Sequence, residues 1–354
     1  MPYHLGERDV DHLARGVTLL GSGGGGQTDT AGRLLRRTLA GDRVALLRRD
    51  ELPGGDIVPV GIVGAVSAFT ERLPAGGEWG PVVAAVTERT GVRPAGLMSI
   101  EAGGVNGILV FVAARELGLP VIDADLMGRA LPRLDQTSTA AAGEPLTPLA
   151  IGDATGRLLI LDGLSPTAAE RIVRSALSEF GGWAAVALRP LPAGRLDRVA
   201  IPGSFARALR LGACHAAWHR AADPYAMAAA LGARVLVLGR VVEVVRHRTG
   251  TGFGRGSVII RATGGRTLVR LEMENEYLLA LADGRPVAST PDILCVLDRA
   301  TGVAISCDSV RGGAEVVVLH LPGPAFWWRP EAVGAVAPRA FGLDIDPVGP
   351  EDRR

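Results

Sequence analysis

The stretch "AGLMSIEAGGVNGILVFVAARELGLPVIDADLMGRALPRLD", residues 95–135, decides how the chain folds. Its apolar run at Leu97–Ile100 reads as a buried strand. A polar turn at Glu101–Asn106 follows, then a helix reaching Leu117, a second strand at Val121–Asp123, and a loop. Strand, helix and strand in succession point to a parallel α/β arrangement for about the first 160 residues.

Outward from this unit the pattern continues on both sides. Upstream, "DVDHLARGVTLL" (9–20) spaces its apolar residues as a helix does, with Asp9 as the expected cap. A glycine run, Gly23–Gly26, comes next, and Thr28 or Asp29 is placed to cap a second helix, "AGRLLRRTLA". "RVALLR" and "DIVPVGIVGA" read as strands, and "PVVAAVTERTG" as a helix closed by Gly91. Downstream, two helical patterns lie around residues 203–231. Short β-rich runs then dominate, divided by turn signals at Gly264-Gly265, Asp283-Gly284 and Gly312-Gly313. The expected fold is an α/β N-terminal domain plus a largely antiparallel β C-terminal domain. The boundary is expected near residue 165, giving 1–165 and 166–354, the second part beginning with a helical connector.

Composition narrows the function classes. Of 354 residues 47% are hydrophobic and 21% charged, and the formal net charge of +1 offers no basic excess for a nucleic-acid partner. All 38 cationic residues are arginine, so Schiff-base and phosphate-loop lysine chemistry is excluded. Cys214, Cys295 and Cys307 never stand at CxxC spacing, which argues against a zinc knuckle or disulfide framework. No signal core and no long apolar run appears, so the expectation is a cytoplasmic protein without a membrane span.

Several motifs carry possible chemistry. The glycine run lacks the lysine of a phosphate loop and follows a helix instead of a strand, so no nucleotide cofactor is expected. It offers either bare amides at a helix start, at Gly24 and Gly25, or a close-packed turn. In "SIEAGGVNG" (99–107), Glu101 is a general base or metal ligand, or else a solvated turn acid. Asn106 is a donor to a substrate carbonyl, or else a helix cap. In "VIDADLMGRALP" (121–132), Asp123 and Asp125 share a face if the strand runs on. They could bind a divalent metal such as zinc, divide acid and base roles, or be neutralised by Arg129 or Arg133. His215 and His219 stand four apart on a helical pattern, but without the Glu of a metalloprotease motif they read as surface histidines. Glu274, Glu276, Asp344 and Asp346 read as polar strand faces or edges. "FWWRP" (326–330) reads as an interface more than as a site wall.

Taken in order, "LGSGGGG", "SIEAGGVNG" and "VIDADLMGRALPRL" resemble the N-terminal domain of S-methyl thiohydantoin desulfurase-like proteins. "GRVVEVVRH", "MENEYLLAL", "STPDILCVLD" and "PRAFGLDID" resemble the C-terminal domain of that family. The resemblance runs from about Asp9 to Asp346. Gln27 stands where the family usually has Asp, and "LDQTSTAAAG" matches its Thr-rich segment only in part. The resemblance implies hydrolytic chemistry on five-membered cyclic ureides or their thio analogues, near hydantoinase and oxoprolinase systems. The expected activity is hydrolysis of a hydantoin-like ring, such as desulfurisation of an S-methyl thiohydantoin. Glu101 or Asp125 would activate water, directly or through a metal on Asp123 and Asp125, while Gly24, Gly25 and Asn106 would hold the ring. The alternative is a non-catalytic partner subunit of a hydantoinase-type assembly, and a nucleotide-dependent ring opener ranks last because lysine is missing. A small cyclic substrate and a homo-oligomer complete the expectation.

Overall fold

Two sheets organise the computed structural model, which describes residues 2–52, 54–218, 223–247 and 254–349. At the centre of the first sheet lie Val44–Leu47, Val121–Asp125, Pro94–Ser99 and Asp56–Gly64, in that order and all parallel. The strand at 121 runs on through Asp125, further than the sequence pattern required. Tyr3–Leu5 closes one edge antiparallel. The other edge continues antiparallel through Trp183–Ala187, Leu149–Gly152 and Leu158–Leu161. The sheet is therefore mixed, not parallel throughout. The short turn between Gly152 and Leu158 allows a hairpin but not the crossover that a parallel pair requires.

Helix Asn106–Leu117 explains why the central unit is so apolar. It is buried on all sides over its first nine residues, Asn106 to Ala114, and ends at Gly118 in the left-handed conformation. A helix with no polar face belongs inside the fold, and this one lies between the sheet and helices Val10–Leu20 and Thr28–Leu39. Neither of those two helices is capped as its sequence indicates. Asp9 turns its carboxylate to the Gly6 amide, at 2.9 Å. Thr28 lies inside its helix, with its hydroxyl 2.6 Å from that of Thr18.

Chain beyond residue 165 still builds the first sheet. Trp183–Ala187, Leu191–Pro192 and Ile201–Pro202 all pair within it, and helix Ser204–Trp218 packs along Val10–Leu20. The second sheet begins at Arg234. Its seven strands are all antiparallel, in the order Arg285–Ser289, Glu276–Ala282, Leu268–Glu274, Arg255–Ala262, Arg234–His247, Glu315–Leu321 and Ile293–Asp298. The run "LVRLEMENEYLLALA" is two strands, folded back at Asn275 with φ 61°, a left-handed position that asparagine tolerates well. Phe326 and Trp327 pack with Met127, Leu131 and Leu278, and the Trp327 indole donates to the Met127 carbonyl at 2.7 Å. This aromatic cluster joins the loop after Asp125 to the second sheet.

Candidate functional site

The glycine run serves first as a place where two sheets meet. The carbonyl of Gly25 accepts from the Val105 amide at 2.7 Å, and that of Ser22 accepts from the Tyr277 amide at 2.7 Å. A Cβ on Gly104 would stand 2.0 Å from the Gly25 oxygen, and one on Gly24 would stand 2.3 Å from Glu276 Oε1. A side chain on Gly104 would collide with the Gly25 backbone, and one on Gly24 would displace the Glu276 carboxylate. Both glycines expected to grip a ring line cavities, but not equally freely. The Gly24 amide is already bonded to the Gly21 carbonyl at 2.8 Å. Among the described residues the Gly25 amide makes no hydrogen bond.

Glu101 leaves the strand Pro94–Ser99 and enters a cavity of ≈ 70 Å³ lined also by Gly25, Asn106, Met127, Arg133 and Glu276. Its Oε1 accepts from Asn106 Nδ2 at 2.9 Å and its Oε2 from the Leu131 amide at 3.2 Å. Burial pushes its carboxyl up to about 8; the two donors and Arg129 pull it back, while Asp125 adds to the rise. It is not a solvated turn acid, being 8% exposed. Asn106 is a brace. Its Oδ1 accepts from the Ile62 amide at 2.7 Å, and its Nδ2 donates to the Ile62 carbonyl and to Glu101. Both of its amide hydrogens are engaged within the protein.

Asp123 and Asp125 do share a face, and what they face is the start of helix Ser204–Trp218. Asp123 Oδ1 accepts from the amides of Phe205 and Ala206, at 2.8 and 3.1 Å. Asp125 Oδ1 accepts from the Ser204 hydroxyl at 2.6 Å. Its Oδ2 accepts from the amides of Ala102 and Gly128, both at 2.6 Å, and of Met127 at 3.3 Å. Burial raises both carboxyls, Asp125 to about 6, against the pull of these donors. Asp125 is fully buried, does not line the cavity, and ties the turn after Glu101 to the helix. Asp125 is held by protein donors on both oxygens and Asp123 on Oδ1, and among the described residues no three His, Cys, Asp or Glu side chains gather as ligands. Neutralisation by Arg129 is corrected. That buried guanidinium donates to the carbonyls of Ala130 and Asp292, at 3.0 and 2.5 Å, and to the Thr290 hydroxyl. Arg133 pairs with Asp135.

The residue that sequence reasoning passed over is Glu276. It opens its strand at the fold-back, 1% exposed, with Oε1 accepting from Asn275 Nδ2 at 2.5 Å and Oε2 without a hydrogen-bond partner among the described residues. Burial pushes its carboxyl up to about 8, with Glu101 and Glu274 adding to the rise and Arg129 opposing it. The signal was present in "ENEY": an acid beside an asparagine, the pair that makes a one-residue reversal. Nothing local reveals that the reversal points at Glu101. Glu274, by contrast, is held by Arg255 at 2.5 Å.

A larger cavity of ≈ 370 Å³ lies on the other side of the glycine run, lined among others by Arg15, Gly24, Thr28, His215 and Ser306. Among its described residues it has no buried carboxylate. His215 bonds the Gly302 carbonyl at 2.9 Å, and His219 lies outside the described residues. Asp344 and Asp346 form exposed ion pairs with Arg339.

A crystal structure of a protein from Chromobacterium violaceum has a similar fold, with a TM-score of 0.80 and 25% sequence identity over 98% of each chain. No curated protein matches the chain. No described helix is long and apolar enough to cross a membrane. The N-terminal domain model of the S-Me-THD-like family matches residues 8–163 and its C-terminal domain model matches residues 165–349, so the chain belongs to the S-Me-THD-like family.

Proposed function

We propose that the protein is a hydrolase acting on a hydantoin-like five-membered ring, releasing methanethiol from an S-methyl thiohydantoin. One observation carries this reading: Glu101 is a buried carboxylate at the wall of a cavity, with both oxygens held by N–H donors. Those donors favour the carboxylate, and burial makes it a stronger base than an exposed glutamate. Such a group can take a proton from water as the water adds to the sp² ring carbon that bears sulfur. The free Gly25 amide lies at the same cavity and can donate to a ring oxygen or nitrogen as charge develops there. The cavity, ≈ 70 Å³, has room for about two waters. The reacting edge of a small ring enters it, with the remainder in the opening.

Family membership supports the thiohydantoin class of substrate. The experiment is incubation of the purified full chain with an S-methyl thiohydantoin in ¹⁸O-labelled water. The reading expects methanethiol and one ¹⁸O atom in the hydantoin formed. Absence of both products, with activity restored only by a second protein, would favour a partner-subunit role instead.

A further inference from the structure

We infer that Glu276, contributed by the second sheet, is the catalytic acid that delivers a proton to the departing sulfur, so that the reacting site is assembled from both sheets. This rests on the proposed hydrolysis and names a second group for it. Three features of the geometry lead here. Glu276 lines the same cavity as Glu101. Its Oε2 is buried and has no hydrogen-bond partner among the described residues, so it is open to carry a proton toward the cavity. Gly24 lies so close to Oε1 that no side chain could stand between the carboxylate and the glycine run.

The two glutamates differ in the way a base and an acid should. Glu101 has an N–H donor on each oxygen, which favours the anion. Glu276 has a donor on one oxygen only, which leaves the other suited to carry a proton. The charged and titratable groups acting on Glu276 are Arg129, Glu101 and Glu274, with the buried Cys307 thiol also close enough to feel its charge. Glu274 is paired with Arg255. Arg129 is fully buried, makes no ion pair among the described residues, and has an unpartnered Nη2. One proton shared by Glu101 and Glu276 leaves a single negative charge opposite that cation, and burial discourages a second.

The steps balance. Glu101 takes a proton from water while the oxygen bonds to the ring carbon, and the C=N pair moves to nitrogen, which receives that proton from Glu101. The C–S bond then breaks with its pair on sulfur. Sulfur takes the Glu276 proton and leaves as methanethiol, while the hydroxyl proton returns to Glu101 and the ring carbon becomes a carbonyl. Transfer from Glu101 to Glu276 restores the starting state.

The test compares Glu276→Gln with the unchanged chain on S-methyl and S-(4-nitrophenyl) thiohydantoins, the second losing a thiolate that needs no proton. The expected result is a loss of about 100-fold or more on the S-methyl compound, a much smaller loss on the S-aryl compound, and disappearance of the alkaline limb of the pH–rate profile. Equal losses on both compounds, or an alkaline limb that persists, would overturn the inference while leaving hydrolysis standing. If the unchanged chain releases neither thiol, the proposed function fails and the inference with it. Should Glu276→Gln not fold, Asn275→Gly decides: it suits the left-handed backbone and removes the donor to Oε1. The alkaline limb should then move to higher pH, and an unmoved limb overturns the inference.

Discussion

Glu101 and Glu276 face one cavity from two different sheets, Glu101 on the turn after Pro94–Ser99 and Glu276 at the first residue of Glu276–Ala282. The glycine run lies between the two sheets, with its Gly25 carbonyl bonded beside the first glutamate and Gly24 against the second.

Stability should fall as pH rises. Burial lifts both carboxyls from an ordinary value of 4.5 to about 8, so the folded pair holds a proton, shared between Glu101 and Glu276, that the unfolded chain releases. The stability this contributes is fully present below about 4.5 and is lost as pH rises through about 8. Melting temperatures between pH 5 and 8 should decline, and the slope should flatten in Glu101→Gln and in Glu276→Gln. A slope identical in all three proteins contradicts the burial of these acids.

Asp125→Ala should cost about 3 kcal/mol in urea unfolding, because it strands the buried amides of Ala102 and Gly128 together with the Ser204 hydroxyl. A variant as stable as the unchanged chain, yet inactive, would return Asp125 to the chemistry.

Asp123→Ala removes the acceptor for the first amides of helix Ser204–Trp218. A cost of about 1 kcal/mol is expected, as for other N-terminal helix caps. Thermal unfolding measures it, and a loss below the error of that measurement would contradict the capping role.

Gly24→Ala should damage activity more than stability, since the new methyl meets the Glu276 carboxylate, while Gly104→Ala meets backbone and should destabilise the fold. Paired melting and turnover measurements separate them. The prediction fails if both variants lose stability equally.

The fold was legible where pattern is local. The strand, turn and helix around Glu101, the left-handed end at Gly91, and the helical and β-rich runs after residue 200 all stand where hydrophobic spacing places them. What was hidden depends on distant partners. The antiparallel strand Trp183–Ala187 cannot be assigned to a sheet from its own alanines and valine. The two aspartates of "VIDAD" advertise a metal or a catalytic pair until helix Ser204–Trp218 is brought to them. Glu276 looks like one more polar strand residue until the second sheet folds it back toward Glu101. At the glycine run, the sequence shows that a bare backbone is needed but not that the need is close packing.

The most direct measurement is kcat/KM for methanethiol release from an S-methyl thiohydantoin by the purified chain and by Glu101→Gln, with melting temperature recorded for both. The account predicts a fall of about 10²–10⁴-fold in the variant, with the fold intact. A variant that melts like the unchanged chain and turns over substrate at the same rate would contradict it.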